Sequence, residues 1–301
     1  MAISKKIPST PCLAISLGMF VMTIPVSAQN FIDPSTTATF GQAIQGMSVI
    51  NDYEFGTGLG KNVTTLQHLS ANFNPYGIAG TTVINQEWER YQPFNTKNFV
   101  FTENSLNLTA TIPNGGGLFS GGIHSGQIWT KQTYTPGRTG YTVYATEVRM
   151  QIPAGQGMWP AAWFYTQSPE PGQNDGSEID NPEFFNMEWQ DQFDWTGFQH
   201  GPGVGSQIYS IKTNQWVWHP GLNFSADYHD YQTLWTPDAV YKYVDGTLVY
   251  AAFFKWTAAG SAQLGVNLAV GSSEGLPGLQ PTSLAEFPAA LSIDHIAIWA
   301  K

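Results

Sequence analysis

The feature that most restricts the fold of this chain is an alternation of side chains in short runs between turn-forming residues. Residues 144–150 (YATEVRM) and 293–299 (IDHIAIW) repeat with a period of two, which is the side-chain period of a β-strand. Asp245 and Gly246 separate two such runs and predict a two-residue hairpin turn. Runs rich in β-branched and aromatic residues predict strands at 98–102, 105–112, 141–152, 208–212, 232–235, 240–244, 247–254, 263–270 and 291–299.

The composition agrees with an all-β protein. Charged residues make up 11% of the 301 residues, whereas a typical soluble domain has ~25% and needs them to solvate its helices. Aromatic residues, at 14%, are too frequent for a disordered chain. Many short strands without a repeat unit predict a single-domain antiparallel β-sandwich or β-jelly roll over residues 48–301, preceded by a lead-in at 29–47.

The first 28 residues have the layout of a secretory signal peptide. A basic start precedes an apolar stretch at 13–26, and small residues follow up to Ala28. A membrane anchor is the alternative, but Pro25 interrupts a stretch that is already short for a bilayer. We expect cleavage after Ala28, which also removes the single cysteine, Cys12, and secretion to the extracellular space or the periplasm.

Acidic residues are concentrated in one window without bases. No Lys or Arg occurs between Arg149 and Lys212, and this window holds Glu170, Asp175, Glu178, Asp180, Glu183, Glu188, Asp191 and Asp194 out of 22 acids. The formal net charge is −10, so nucleic acids and anionic membranes are poor partners. A solvated acidic face is a good explanation for Glu170, Asp191 and Asp194. It explains residues 178–183 (EIDNPE) less well, because these residues precede two phenylalanines.

Residues 178–183 have two functional interpretations. Several carboxylates could hold a calcium ion, although their spacing does not match a helix-loop-helix site. On a strand, Glu178 and Asp180 point to the same face, and a β-bulge near Asn181 and Pro182 would bring Glu183 to that face as well. Such a row suits glycosidic hydrolysis, in which one carboxylate attacks the sugar and another, ~5 Å away, protonates the leaving oxygen with net retention.

These residues resemble the family 16 glycoside hydrolases of the laminarinase and lichenase type. The family signature Glu-x-Asp-x-(x)-Glu is similar to residues 178–183, although Asn-Pro replaces the apolar pair that is usual inside it. Residues 155–163 (GQGMWPAAW) resemble the family segment Gly-x-Trp-Pro-x-x-Trp, and later segments at 228–246, 267–271 and 291–299 follow in the family order. The resemblance implies a jelly roll and a retaining endo-β-glycanase acting on β-1,3- or mixed β-1,3-1,4-glucan.

The resemblance also implies roles for individual residues. Glu178 would be the nucleophile, Asp180 the assisting acid and Glu183 the general acid/base. Substrate contacts are implied for five further residues, Trp159, Trp163, His200, Glu87 and Tyr91. Asp294 matches an aspartate that ligates a structural calcium in many members, whereas the chemistry itself needs no cofactor. Alternatively, His200 is an ordinary loop histidine and Asp294 an exposed strand residue.

Other functions on the same scaffold stay open at this point. Transglycosylation shares the covalent intermediate, and agarase or carrageenase activity would use a galactan, of which a sulfated one is disfavoured by the lack of bases near the acids. A lectin-like module without catalysis is a different class, but binding alone would not need three mutually repelling carboxylates. We expect a monomer whose partner is a neutral polysaccharide.

Overall fold

The described part of the chain, in a computed structural model, covers residues 39–77, 86–166, 178–184, 199–200, 206–210, 215–219, 224–253, 260–272 and 280–301. The expected signal segment, with Cys12 and the cleavage position at Ala28, lies outside these residues, so secretion stays a prediction. Within them, no helix is both long and apolar enough to cross a membrane.

Strands dominate the described residues. The helices are α1 (Phe40–Ala43), α2 (Leu66–Asn72) and a single 3-10 turn (Leu284–Glu286). The strands are β1 (Ser48–Glu54), β2 (Phe73–Asn74), β3 (Glu89–Tyr91), β4 (Phe99–Phe101), β5 (Leu106–Ala110), β6 (Ile123–Ser125), β7 (Gln127–Thr130), β8 (Tyr144–Gln151), β9 (Met158–Thr166), β10 (Glu178–Glu183), β11 (Gln199–His200), β12 (Ser206–Ser210), β13 (Gln215–His219), β14 (His229–Trp235), β15 (Ala239–Val244), β16 (Thr247–Phe253), β17 (Ala262–Val270) and β18 (Ala289–Ala300). Every run predicted as a strand overlaps one of them.

The larger sheet has the strand order β16-β15-β14-β8-β18-β5-β4, and β1 also pairs with β18. Its neighbouring strands are antiparallel. Because β18 is twelve residues long, it pairs with β8 along one side and with both β5 and β1 along the other. The predicted turn between β15 and β16 is confirmed, since Asp245 and Gly246 both have positive φ angles, of 47° and 76°.

The smaller sheet has the order β10-β9-β17-β7-β2 and packs against the larger one across a shared hydrophobic core. Leu264, Val266 and Leu268 of β17 are buried there together with Ile293 and Ile296 of β18. The core-facing positions of β17 alternate, whereas Ile293 and Ile296 of β18 both face the core because the register of β18 shifts between Ile293 and His295. The predicted all-β antiparallel sandwich is confirmed.

Residues 39–47, which the sequence assigns to a lead-in, pack onto the larger sheet. Phe40 of α1 is buried, and its ring makes edge contacts with Tyr243 at 5.5 Å and Trp299 at 5.6 Å between centroids. Its backbone N–H donates to the carbonyl of Gly246 (2.9 Å). The packed part of the chain thus extends upstream of β1 at least to Phe40.

The smaller sheet also carries buried aromatic side chains on the face that points away from this core. Trp129, Ala161, Trp163 and Tyr165 form a separate buried cluster there. The same face of this sheet receives the acidic side chains of β10.

Candidate active site

Strand β10 pairs antiparallel with β9, and this pairing decides where its acids point. Side chains of every second residue of β9 share one face. The three acids stand opposite three such residues, in the pairs Glu178–Tyr165, Asp180–Trp163 and Glu183–Ala161. All three carboxylates are therefore carried on the face with the aromatic cluster.

A β-bulge makes this arrangement possible. Between Asp180 and Glu183 the chain of β10 advances three residues, while β9 advances only two, from Trp163 to Ala161. If these residues formed a regular strand without a bulge, Glu183 would point into the core, because positions three apart lie on opposite faces of a regular strand. The bulge predicted from the sequence is confirmed.

Asn181 anchors the bulge from behind. Its side chain is buried, and Nδ2 donates to the carbonyl of Gln232 (2.6 Å) and to the hydroxyl of Thr233 (3.0 Å). Both partners lie on β14, in the larger sheet, so the amide ties the bulge to the opposite layer of the sandwich. An apolar residue at this position could not make these bonds, which gives the departure from the usual family signature a structural reason.

The three acids differ in their exposure. Glu178 is exposed, Glu183 is half-buried, and Asp180 is only 6% exposed. The indole Nε1–H of Trp159 donates to Oε1 of Glu183 (2.9 Å) and so fixes the orientation of that carboxyl group. The site therefore combines an accessible carboxylate with a second one held by a side chain from the neighbouring strand.

Trp163 stands opposite Asp180 on β9 and forms the floor of the site. Hydrogen bonds hold its indole ring in place. Its Nε1–H donates to Oδ1 of Asn267 (2.8 Å), and Nδ2 of Asn267 donates to the hydroxyl of Tyr91 (2.9 Å). Trp129 meets Trp163 edge to face, with 4.8 Å between ring centroids. A Cβ atom at Gly265 would lie 2.7 Å from the ring of Trp129, so only glycine leaves space for this indole pair.

Comparison with known proteins identifies the family. The sequence model described as "Glycosyl hydrolases family 16" matches residues 87–261, which is more than half of the chain and includes all three acids. The chain belongs to glycoside hydrolase family 16. This confirms the resemblance that the sequence motifs indicate.

Individual family 16 relatives agree with this assignment. The chain is 28% identical over 184 residues to a protein named "Beta-glucanase" from Rhodothermus marinus, a match that covers 55% of this chain and 60% of that protein. The laminarinase from Rhodothermus marinus superposes with a TM-score of 0.57 at 20% identity, covering 84% of this chain and 97% of that one. The laminarinase catalytic domain from Thermotoga maritima gives 0.55 at 24% identity, covering 85% and 98%. At these identities, the two structures show that the fold is shared.

Some predicted site residues lie outside the described part of the chain. His200 ends the short strand β11, but its side chain is not among the described ones, so its role stays a prediction. The same holds for five acids of the acidic window, namely Glu170, Asp175, Glu188, Asp191 and Asp194. Trp159 and Trp163, which are also predicted to contact substrate, lie in the described part of the chain. Each side chain is less than a tenth exposed.

Glu87 and Tyr91, which are predicted to contact substrate, are both buried. Tyr91 reaches Trp163 through Asn267, so it supports the floor of the site from beneath, and direct contact with substrate stays a prediction. Glu89 and Asn267 were not selected from the sequence as site residues. The period-two spacing of Glu87, Glu89 and Tyr91 could have indicated that Glu89 shares their face.

Glu89 is a buried carboxyl group beneath the site. It is fully buried on β3, and its Oε2 accepts a hydrogen bond from the backbone N–H of Val270 (2.7 Å). Burial raises the pKa of Glu89 to about 7, although interactions with Glu87, Val270 and Tyr91 partly offset this. In the folded protein, Glu89 is therefore mainly the neutral acid in weakly acidic solution and mainly a buried carboxylate above neutrality.

Asp294 faces two side-chain cations. Its Oδ1 lies 2.5 Å from Nζ of Lys61, and its Oδ2 lies 3.3 Å from Nε of Arg149. Calcium requires six to eight oxygen ligands, whereas both carboxylate oxygens of Asp294 already face positive groups. The residues present therefore do not fit the calcium ion that the family resemblance implies.

The raised pKa of Glu89 predicts a pH-dependent stability that Glu89→Gln removes. The folded state holds its proton more tightly than the unfolded state, so stability is greatest below about pH 4.5 and is lost as the pH rises to about 7. The loss is on the order of 3 kcal/mol, at ~1.4 kcal/mol per pKa unit. Glutamine keeps the bond from Val270 without burying a charge. We expect Glu89→Gln to melt at a higher temperature than the native protein at pH 8 and at a similar one near pH 4.5.

Thermal unfolding across this pH range measures the effect. Glu103→Gln is the matched control, because it makes the same replacement at an exposed position. A melting-temperature difference between Glu89→Gln and the native protein that stays constant with pH would contradict the prediction.

Proposed function

We propose that this family 16 protein is a retaining endo-β-glucanase that hydrolyses β-1,3- or mixed β-1,3-1,4-linked glucan. The observation that carries the proposal is the bulged register of β10, which brings Glu178, Asp180 and Glu183 to one face beside Trp159 and Trp163. The relatives named a β-glucanase and laminarinases support glucan as the substrate class. The curated β-glucanase is matched over about three-fifths of its length, and its activity is extended to this chain as part of the proposal.

In the proposed mechanism, the exposed carboxylate of Glu178 attacks the anomeric carbon. Glu183, held by the N–H of Trp159, gives its proton to the leaving oxygen, and a covalent glycosyl-enzyme intermediate forms. Glu183 then takes a proton from the water that hydrolyses this intermediate. Asp180 stands between the two acids in sequence and is itself buried; it orients the nucleophile and favours the protonated form of Glu183 through like-charge repulsion.

A neutral polysaccharide fits the charge of the surrounding chain. The acids lie in a stretch of sequence without Lys or Arg, which would leave the anionic groups of a sulfated or carboxylated polymer without partners. Secretion, a monomeric state and independence of any cofactor in the chemical steps are part of the same proposal.

Glu178→Gln tests the nucleophile. The amide keeps the shape of the side chain but cannot form the glycosyl ester, so we expect hydrolysis of laminarin to fall by at least about 10³-fold while the fold is retained. Reducing-sugar release and thermal unfolding measure the two effects. Glu103→Gln is the control for an exposed glutamate, and appreciable residual hydrolysis by Glu178→Gln would contradict the assignment.

Glu183→Ala tests the acid/base role separately. The intermediate should still form slowly, and azide should restore part of the activity, because it needs no general base to attack the intermediate. The expected product is a β-glycosyl azide, and no rescue should occur in Glu178→Gln. An α-glycosyl azide, or equal rescue of both variants, would contradict the proposed division of roles.

A panel of polysaccharides tests the substrate class. We expect internal cleavage of laminarin and lichenan, with oligosaccharides as early products, and little release from agarose, carrageenan or xyloglucan. Preferred cleavage of a galactan would contradict the proposed glucan specificity. Products longer than an oligosaccharide substrate would show that a sugar, not water, accepts the glycosyl group of the intermediate. The proposed activity would then be transglycosylation and not hydrolysis.

A further inference from the structure

Charged side chains of alternating sign cross the larger sheet away from the candidate active site. They form a row, in the order Glu54, Lys61, Asp294, Arg149 and Asp230, with each member paired to the next. The row runs from β1, through the loop that follows it, to β18, β8 and β14. We call this set the charge row.

Lys61 occupies a central place in the charge row. Its ammonium lies 2.9 Å from Oε2 of Glu54 and 2.5 Å from Oδ1 of Asp294, and its side chain is only 12% exposed. The ammonium therefore pairs with two carboxylates at once in a largely buried position.

Three groups around Lys61 lie close enough together to share one metal ion. Ligand atoms of Glu54, Asp294 and His295 all lie within 4.8 Å of one another. A divalent cation would bring two positive charges to this cluster. Here Lys61 brings one positive charge to one oxygen of Asp294, and Arg149 brings another to the second oxygen.

We propose that Lys61 is the resident cation of this cluster, taking the place of a divalent metal ion between Glu54 and Asp294. Removal of its ammonium group uncovers a site for one hard divalent cation, with the two carboxylates as ligands and water completing the shell. The native protein then owes none of its stability to a metal at this position.

The backbone around Lys61 is held independently of its ammonium group. The backbone N–H of Asn62 donates to the carbonyl of Glu54 (3.0 Å), and its side-chain amide donates to the carbonyl of Asp52 (2.9 Å). The N–H of Phe55 donates to the carbonyl of Asp294 (2.9 Å). Glu54 and Asp294 therefore keep their positions when Lys61 is shortened or made neutral, which leaves two facing carboxylates without their shared cation.

The test compares native protein with Lys61→Met, which keeps the apolar stem of the side chain. The melting temperature of the native protein should be the same in excess EDTA and in excess CaCl₂. Lys61→Met in EDTA should melt at least about 2 °C lower than native protein, because two carboxylates lose their counter-ion. Addition of CaCl₂ should recover most of that loss, and calorimetric titration should give one bound ion.

Two further variants make the result specific. Lys131→Met removes an ammonium that binds the carbonyl of Ser70, and it should show no response to calcium. Asp294→Asn in the Lys61→Met background should abolish the response. A native protein that loses stability in EDTA, or that binds calcium stoichiometrically at this cluster, would overturn the proposal. So would a folded Lys61→Met variant that calcium fails to stabilise.

Discussion

The pairing of β10 with β9 is the constraint on which the candidate active site depends. Within a regular strand, Glu178 and Asp180 would share a face, but Glu183 would point into the core of the sandwich. One additional residue in β10, which advances three residues while β9 advances two, restores Glu183 to the face of Glu178 and Asp180. The buried amide of Asn181 then holds this irregular stretch against the larger sheet. Three acids on one face are thus a property of the backbone register.

Polar groups that the chain buries beneath the site stabilise this surface at a cost. Trp163 is held through Asn267 and Tyr91, and Glu89, which shares a strand with Tyr91, is fully buried. Burying such a group is unfavourable once it ionises, so the stability of the fold depends on solution pH. In the charge row, by contrast, each acid forms an ion pair with a Lys or Arg side chain, and Asp294 pairs with both Lys61 and Arg149.

Much of the fold could be predicted because its signals are local. Alternation in β8 and β18, and the Asp245–Gly246 turn, depend on neighbours in sequence. The bulge at Pro182 also has a local cause, since proline lacks the N–H that a regular ladder requires. Asn267 and Lys61 could not be assigned in this way. Lys61 meets Asp294 across 233 residues of sequence, and no periodic pattern marks a contact of that kind.

In the proposed mechanism, Glu178 and Glu183 act from one face of β10 as nucleophile and proton donor. Carboxylates close enough to do this produce retention of configuration, whereas inversion requires a wider gap with a water molecule between them. Proton NMR of the reducing ends formed in the first turnovers on laminarin distinguishes the two directly. With retention, the β-anomer appears first and then mutarotates to the equilibrium mixture. Initial release of the α-anomer would contradict it.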